Sequence, residues 1–222
     1  MSELIDLSHT IHHGMLTFKG LPGPVICDYL SRADSRSRYD GGTEFQIGRI
    51  DMVSNTGTYI DCPFHRYADG KDLSETALQR FVDLPGVLVS VPHRERIEVR
   101  AEDFAAVDVR GKAVLVHSGW DAHWGTPAYF ENHSFLTGEA AIDLRDRGAV
   151  LVGIDSHNID DTRSRNSRPV HSVLLAAEIL IVEHLRGLDA LQGRRFCFSA
   201  VPPKFKGVGT FPVRAFARLT ES

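Results

Sequence analysis

The chain has 222 residues, 42% apolar and 24% charged, with 29 acids against 25 bases and a formal net charge of −4. That balance excludes an intrinsically disordered chain, and the scattered glycines and prolines exclude a coiled coil. The acidic excess excludes nucleic-acid binding through a basic face, and no apolar run reaches the ~18 residues that span a membrane.

The length suits one domain, taken as residues 1–222. The first residues carry no basic region followed by an apolar stretch, so no signal peptide is expected. Cys27, Cys62 and Cys197 are far apart and form no Cys-x-x-Cys pair. They read as free thiols of a cytoplasmic protein, and a cysteine-based zinc site is excluded.

Along the chain, residues 45–53 alternate apolar and polar, as a half-buried strand does. Residues 54–65 follow, and their Gly57 and Pro63 predict an irregular loop. Residues 86–91, 113–117 and 149–154 are short, apolar and β-branched, which suits strands covered on both faces. Between the last two, residues 136–148 carry helical spacing, with Thr137 as N-cap and Gly148 as stop. Strand, helix and strand within a β-rich chain predict a mixed α/β fold.

Two polar clusters carry chemistry. Asp61 and His65 place a carboxylate and an imidazole four residues apart beyond a predicted strand. Farther on come Asp155, His157 and Asp160, then Arg163, Arg165 and Arg168, then His171 and Glu183. If 171–183 were one helix, its ends would lie ~18 Å apart, too far for ligands of one ion. A short helix near 171–177 followed by a strand at 179–182 brings them together.

The segment Asn55-Thr56-Gly57-Thr58-Tyr59-Ile60-Asp61-Cys62-Pro63-Phe64-His65 resembles H-x-G-T-H-x-D-x-P-x-H. That is the signature of the metal-dependent cyclase-like hydrolases, which include bacterial kynurenine formamidase and isatin hydrolase. The resemblance extends to Ile5-Asp6-Leu7-Ser8-His9, Ser118-Gly119-Trp120, the strand ending in Asp155, His171 with Glu183, and Gly209-Thr210-Phe211-Pro212-Val213-Arg214-Ala215. It implies a swivelling β/β/α core, a homodimer or homotetramer, and hydrolysis of an amide, formamide or lactam C–N bond in a small molecule. Arylformamidase, a step of tryptophan catabolism, is the family's best-known activity.

Residue by residue, the resemblance makes His65 the general acid/base and Asp61, His171 and Glu183 metal ligands. The first two signature histidines are Asn55 and Tyr59 here, which dismantles one metal position. One divalent ion, Zn²⁺ or Mn²⁺, is therefore expected, with His157 as a candidate replacement ligand. Tyr59 would donate its hydroxyl to a developing oxyanion, a contribution of ~3 kcal/mol. Asn55, Arg66 and Arg168 are expected to hold the substrate, Arg by pairing with a carboxylate. Phe64 and Trp120, with Trp124 and Phe211, would line an apolar pocket. The alternatives are a metal-free cyclase or lactone hydrolase using His65 and Tyr59, and a ligand-binding protein without catalysis.

Overall fold

The structure is a computed structural model that describes residues 3–163 and 167–220. Its first half runs β1 (Leu4–Asp6), β2 (Val25–Leu30), α1 (Arg32–Ser35), β3 (Ile47–Asp51), β4 (Tyr59–Asp61) and β5 (Leu84–Ser90). The middle comprises β6 (Glu98–Val99), β7 (Ala113–His117), β8 (Phe135–Leu136), α2 (Gly138–Asp146) and β9 (Leu151–Ile154). It closes with α3 (Pro169–Ala176), β10 (Leu180–Glu183), β11 (Phe196–Ser199), β12 (Thr210–Pro212) and β13 (Phe216–Leu219).

Nine strands form one mixed sheet in the order β1-β13-β11-β5-β7-β9-β10-β4-β12. The centre from β5 to β10 is parallel, and antiparallel strands extend both ends. Alternation along the central strands sorts their side chains into two layers. Leu115, Leu151 and Val182 pack on one face, and Val114, Val116, Val152, Ile154 and Ile181 pack on the other. The second face is covered by α2 and α3 through Ala140, Leu144, Val170 and Leu174. Burial on both faces explains why β7 and β9 read as continuous apolar runs, whereas β5, expected to be covered in the same way, is only half-buried.

The predicted helix is α2: Thr137 caps it by accepting from the Ala140 N–H at 3.2 Å, and Gly148 leaves it at φ +81°. The short helix and following strand expected around His171 and Glu183 are α3 and β10.

Two expectations are corrected. Residues 54–65 are not all loop, because Tyr59–Asp61 forms the fully buried β4 between β10 and β12. Gly57 and Pro63 flank that strand rather than interrupt it. The alternating segment 45–53 is not half-buried: every residue of β3 is exposed, and it pairs only with β2 in a separate two-stranded ribbon.

Motif segments that are distant in the chain bind one another. Ser118 donates through its N–H and hydroxyl, and Gly119 through its N–H, to the buried Asp155 carboxylate. Ser8 accepts the Ala215 N–H at 2.7 Å, and Arg214 pairs with Asp6 at 2.7 Å. Asp155 is thus a structural tie between β7 and β9. Among the described residues, no helix is long and apolar enough to cross a membrane.

Candidate metal and substrate site

The site lies on the helix-covered face of the sheet, at the end of β10. Its core follows from strand register. In β4, Tyr59 stands opposite Glu183 of β10, and Asp61 stands opposite Thr210 of β12. Tyr59 and Asp61 are two residues apart, so both side chains point to one face. Directly opposed side chains in an antiparallel pair have Cβ atoms ~5 Å apart, close enough to bond. The Tyr59 hydroxyl donates to Glu183 Oε2 at 2.5 Å, and the Thr210 hydroxyl donates to Asp61 Oδ1.

His171 reaches the same place from the first turns of α3. Asp160, 1% exposed, receives the Val170 and His171 N–H groups at 2.9 and 3.0 Å, which caps that helix. Its Oδ2 also bonds His171 Nδ1 at 2.6 Å. With Nδ1 so engaged, His171 turns Nε2 toward Asp61 Oδ2 at 3.7 Å and Glu183 Oε1 at 3.8 Å. Both separations exceed a hydrogen bond.

Asp61 Oδ2 is buried and has no hydrogen-bond partner among the described residues. Two ligands ~2.1 Å from one ion stand roughly 3.0–3.8 Å apart, so these donors fit a shared cation. Asp61, His65 and His171 also each offer a donor atom within 4.8 Å of one another. The Glu183 oxygens are already engaged, Oε2 by Tyr59 and Oε1 by the Ile159 N–H at 2.6 Å.

Burial and neighbouring charge set the protonation states. Burial alone would raise the Asp61 carboxyl, but the His65 and His171 imidazoles and the Thr210 hydroxyl hold it below its ordinary value. Burial, reinforced by the Asp61 charge, pushes Glu183 up to about 7 against the opposing pull of His171. Burial works to deprotonate His171, yet its bond to Asp160 and the charges of Asp61 and Glu183 raise it to about 10. Tyr59 is driven well above its ordinary value, by burial first and by Glu183 and Asp61 next.

A cavity of about 550 Å³ opens over this centre. Tyr59, His65, His171 and Glu183 face it, with Asn55, Asn158, Arg66 and Arg168 on its polar sides and Phe18 and Leu21 on its apolar side. Phe18 is delivered by the irregular segment before β2. There Thr17 accepts the Gly57 N–H at 2.8 Å, and Ile11 packs where a Gly57 Cβ would be only 2.8 Å away. Gly57 also holds φ +67°, so both conformation and closeness require glycine.

The cavity therefore gathers Asn55, Tyr59, His65, Arg66, Arg168, His171 and Glu183 of the residues expected from sequence, with Asp61 beneath them. Phe64, Trp120, Trp124 and Phe211 do not line it. Phe64 packs against the core on the opposite face, Trp120 donates its indole N–H to the Tyr129 carbonyl at 3.0 Å, and Phe211 pairs with Phe205. Arg163 turns away to Asp161 at 2.9 Å, and Arg165 lies outside the described residues. His157 is buried among Phe18, Tyr129, Phe130, His133 and His184, apart from the Asp61–His171 group. Cys62 is fully buried in the core, and burial pushes its thiol up to about 11, as befits packing.

Phe18 and Leu21 were not expected in the site, and Asn158, Asp160 and Thr210 lay in quoted segments without a site role assigned to them. Thr210 lay inside a quoted motif, but only the β4–β12 pairing places it on Asp61.

Residues 5–161 match the model of a family described as “Putative cyclase”. Kynurenine formamidases of Bacillus cytotoxicus and Geobacillus thermodenitrificans are each 27% identical to this chain, over 98% of both partners. A solved structure of a potential metal-dependent hydrolase with cyclase activity shares 26% identity and a TM-score of 0.81 over the full length of both chains. An isatin hydrolase bound to the product analogue thioisatinate, 20% identical, has the same fold with a TM-score of 0.82 over 100% of this chain and 93% of its own.

Proposed function

This chain belongs to that cyclase family, and we propose that it is a metal-dependent hydrolase of a small molecule's amide, formamide or lactam C–N bond. The observation that carries the reading is the unpartnered, buried Asp61 Oδ2 facing His171 Nε2 at 3.7 Å. The kynurenine formamidases over nearly the whole chain support an aryl formamide as the first substrate to try.

Asp61 and His171 would hold one Zn²⁺ or Mn²⁺, and Glu183 Oε1 would complete an N/O donor set that suits either ion through the lone pair that the Ile159 N–H does not take. What such an ion supplies when bound is general: a polarised carbonyl and a more acidic water. The chain's residues do the rest. His65, one-third exposed at the cavity wall, takes a proton from the attacking water and returns it to the leaving nitrogen. Tyr59 gives its only proton to Glu183, so donation to a substrate oxygen requires surrendering that bond. Phe18 and Leu21 cover an apolar ring, while Arg66 and Arg168 meet an anionic group.

Elemental mass spectrometry on tag-free protein tests this reading, with Asp61→Ala and His171→Ala alongside. About one equivalent of metal, lost in both variants, together with hydrolysis of an aryl formamide, is the expected result. No uptake of Zn²⁺ or Mn²⁺ would overturn it, and the search would turn to His65 and Tyr59 acting without metal.

A further inference from the structure

Thr210 stands between Asp61 and His65. It is 2% exposed, and its hydroxyl contacts both Asp61 Oδ1 and His65 Nδ1, the latter at 2.7 Å. A hydroxyl has one proton to donate, and an ionised carboxylate can only accept. The Thr210 proton therefore goes to Asp61. The contact with His65 then closes only if Nδ1 carries hydrogen and donates to Thr210 Oγ1.

We propose that Thr210 is a positioning residue that fixes His65 as the Nδ1–H tautomer and leaves the Nε2 lone pair for the cavity. The tautomer follows from these contacts alone; its effect on rate rests on the hydrolytic reading. The same hydroxyl occupies Asp61 Oδ1, which makes Oδ2 the oxygen left facing His171. One side chain thus selects both the free nitrogen of His65 and the free oxygen of Asp61.

The approach of Thr210 is built into the backbone. A Cβ on Gly209 would overlap the His65 backbone nitrogen, so only glycine lets β12 come this close. Segment 207–209 is pinned by three bonds: Gly207 N–H to Asp72 Oδ2 at 2.6 Å, Leu73 N–H to Val208 O at 3.0 Å, and Cys62 N–H to Gly209 O at 2.8 Å.

The test is nitrogen-15 NMR of histidine-labelled protein at a pH where the ring is neutral, with the His65 signals identified by their loss in His65→Gln. Wild type and Thr210→Ser should show Nδ1–H. Thr210→Val, which keeps the shape and loses the hydroxyl, should shift toward Nε2–H. On an aryl formamide, Thr210→Val should lower kcat about 10- to 100-fold with KM within about threefold, and Thr210→Ser should stay within about threefold of wild type in both. An Nε2–H tautomer in wild type overturns the proposal even if the valine variant does not fold. An unchanged tautomer in a folded Thr210→Val overturns it too. Nδ1–H in a wild type that hydrolyses no formamide supports Thr210's role and sinks only the hydrolytic reading.

Discussion

Tyr59 and Glu183 face each other across β4 and β10, joined by a 2.5 Å hydrogen bond in a fully buried setting. The family signature has a histidine where this chain has Tyr59. The substitution therefore changes what the position offers, from an imidazole lone pair to a hydroxyl proton already given to a carboxylate.

Tyr59→Phe leaves Glu183 Oε2 with the Asn158 amide, at 3.4 Å, as its remaining partner among the described residues. Removing one partner of a buried hydrogen bond costs about 1–3 kcal/mol, so urea unfolding should show a free energy lower by that amount, read as a lower midpoint at unchanged slope. An unchanged midpoint would show that the bond contributes nothing. On a confirmed substrate, a kcat loss under threefold confines the hydroxyl to Glu183, and a loss beyond tenfold shows that it also reaches the substrate.

Asp160 is the carboxylate behind His171, and such partners fix the ring and raise its basicity as a ligand. Asp160→Asn should weaken Zn²⁺ affinity by 10- to 100-fold in chelator competition, with the remaining site intact. It also weakens the cap of α3, so circular dichroism should accompany the titration. Affinity equal to wild type in a folded variant would remove Asp160 from the metal site.

His157 and His184 are buried against Tyr129, buried His133 packs on His157, and half-buried His9 stacks on Trp124 beside them. Burial drives His9 to about 4, aided by Arg186, and His157 to about 3, aided by His133 and Arg168. Unfolded histidine titrates near 6.5, so below that pH the unfolded chain binds protons that the folded chain refuses. These histidines contribute stability that is complete above pH 6.5 and lost as pH falls toward 4. Each is worth up to about 1.4 kcal/mol per pH unit in that window. His157→Gln should flatten the plot of stability against pH between 6 and 4.5 by that slope. Parallel plots for the two proteins would refute the assignment.

The ribbon of β2 and β3 exposes Val25, Ile26, Tyr29, Ile47 and Ile50. Ile26 and Ile50 are paired across the ribbon and share one of its faces, and a two-stranded ribbon with no cover among the described residues is marginal in water. The family resemblance implies a homo-oligomer, and on that expectation the ribbon packs against a second copy of the chain. Ile26→Glu with Ile50→Glu should convert the oligomer to monomer in light scattering coupled to gel filtration. A wild type that is already monomeric, or an oligomer that survives both changes, would rule this surface out.

Several elements and much of the chemistry were legible in the chain alone. The cap at Thr137, the β-branched runs of β5, β7 and β9, and the reversal between His171 and Glu183 all follow from local preference and reach. Asp61 and His65 were legible as a pair because they are neighbours in the chain. Register, by contrast, comes from the folded arrangement. Tyr59 meets Glu183, and Thr210 meets Asp61, because β4 lies between β10 and β12, and no local pattern specifies which strands become neighbours. The same limit explains β3, whose alternation matches a half-buried strand although none of the described residues covers it. It explains His157 and the aromatic residues too, since a side chain's distance from the site depends on how strands are ordered. Local sequence sets backbone conformation over a few residues, whereas the site is assembled by hydrogen-bonded pairing between segments more than a hundred residues apart.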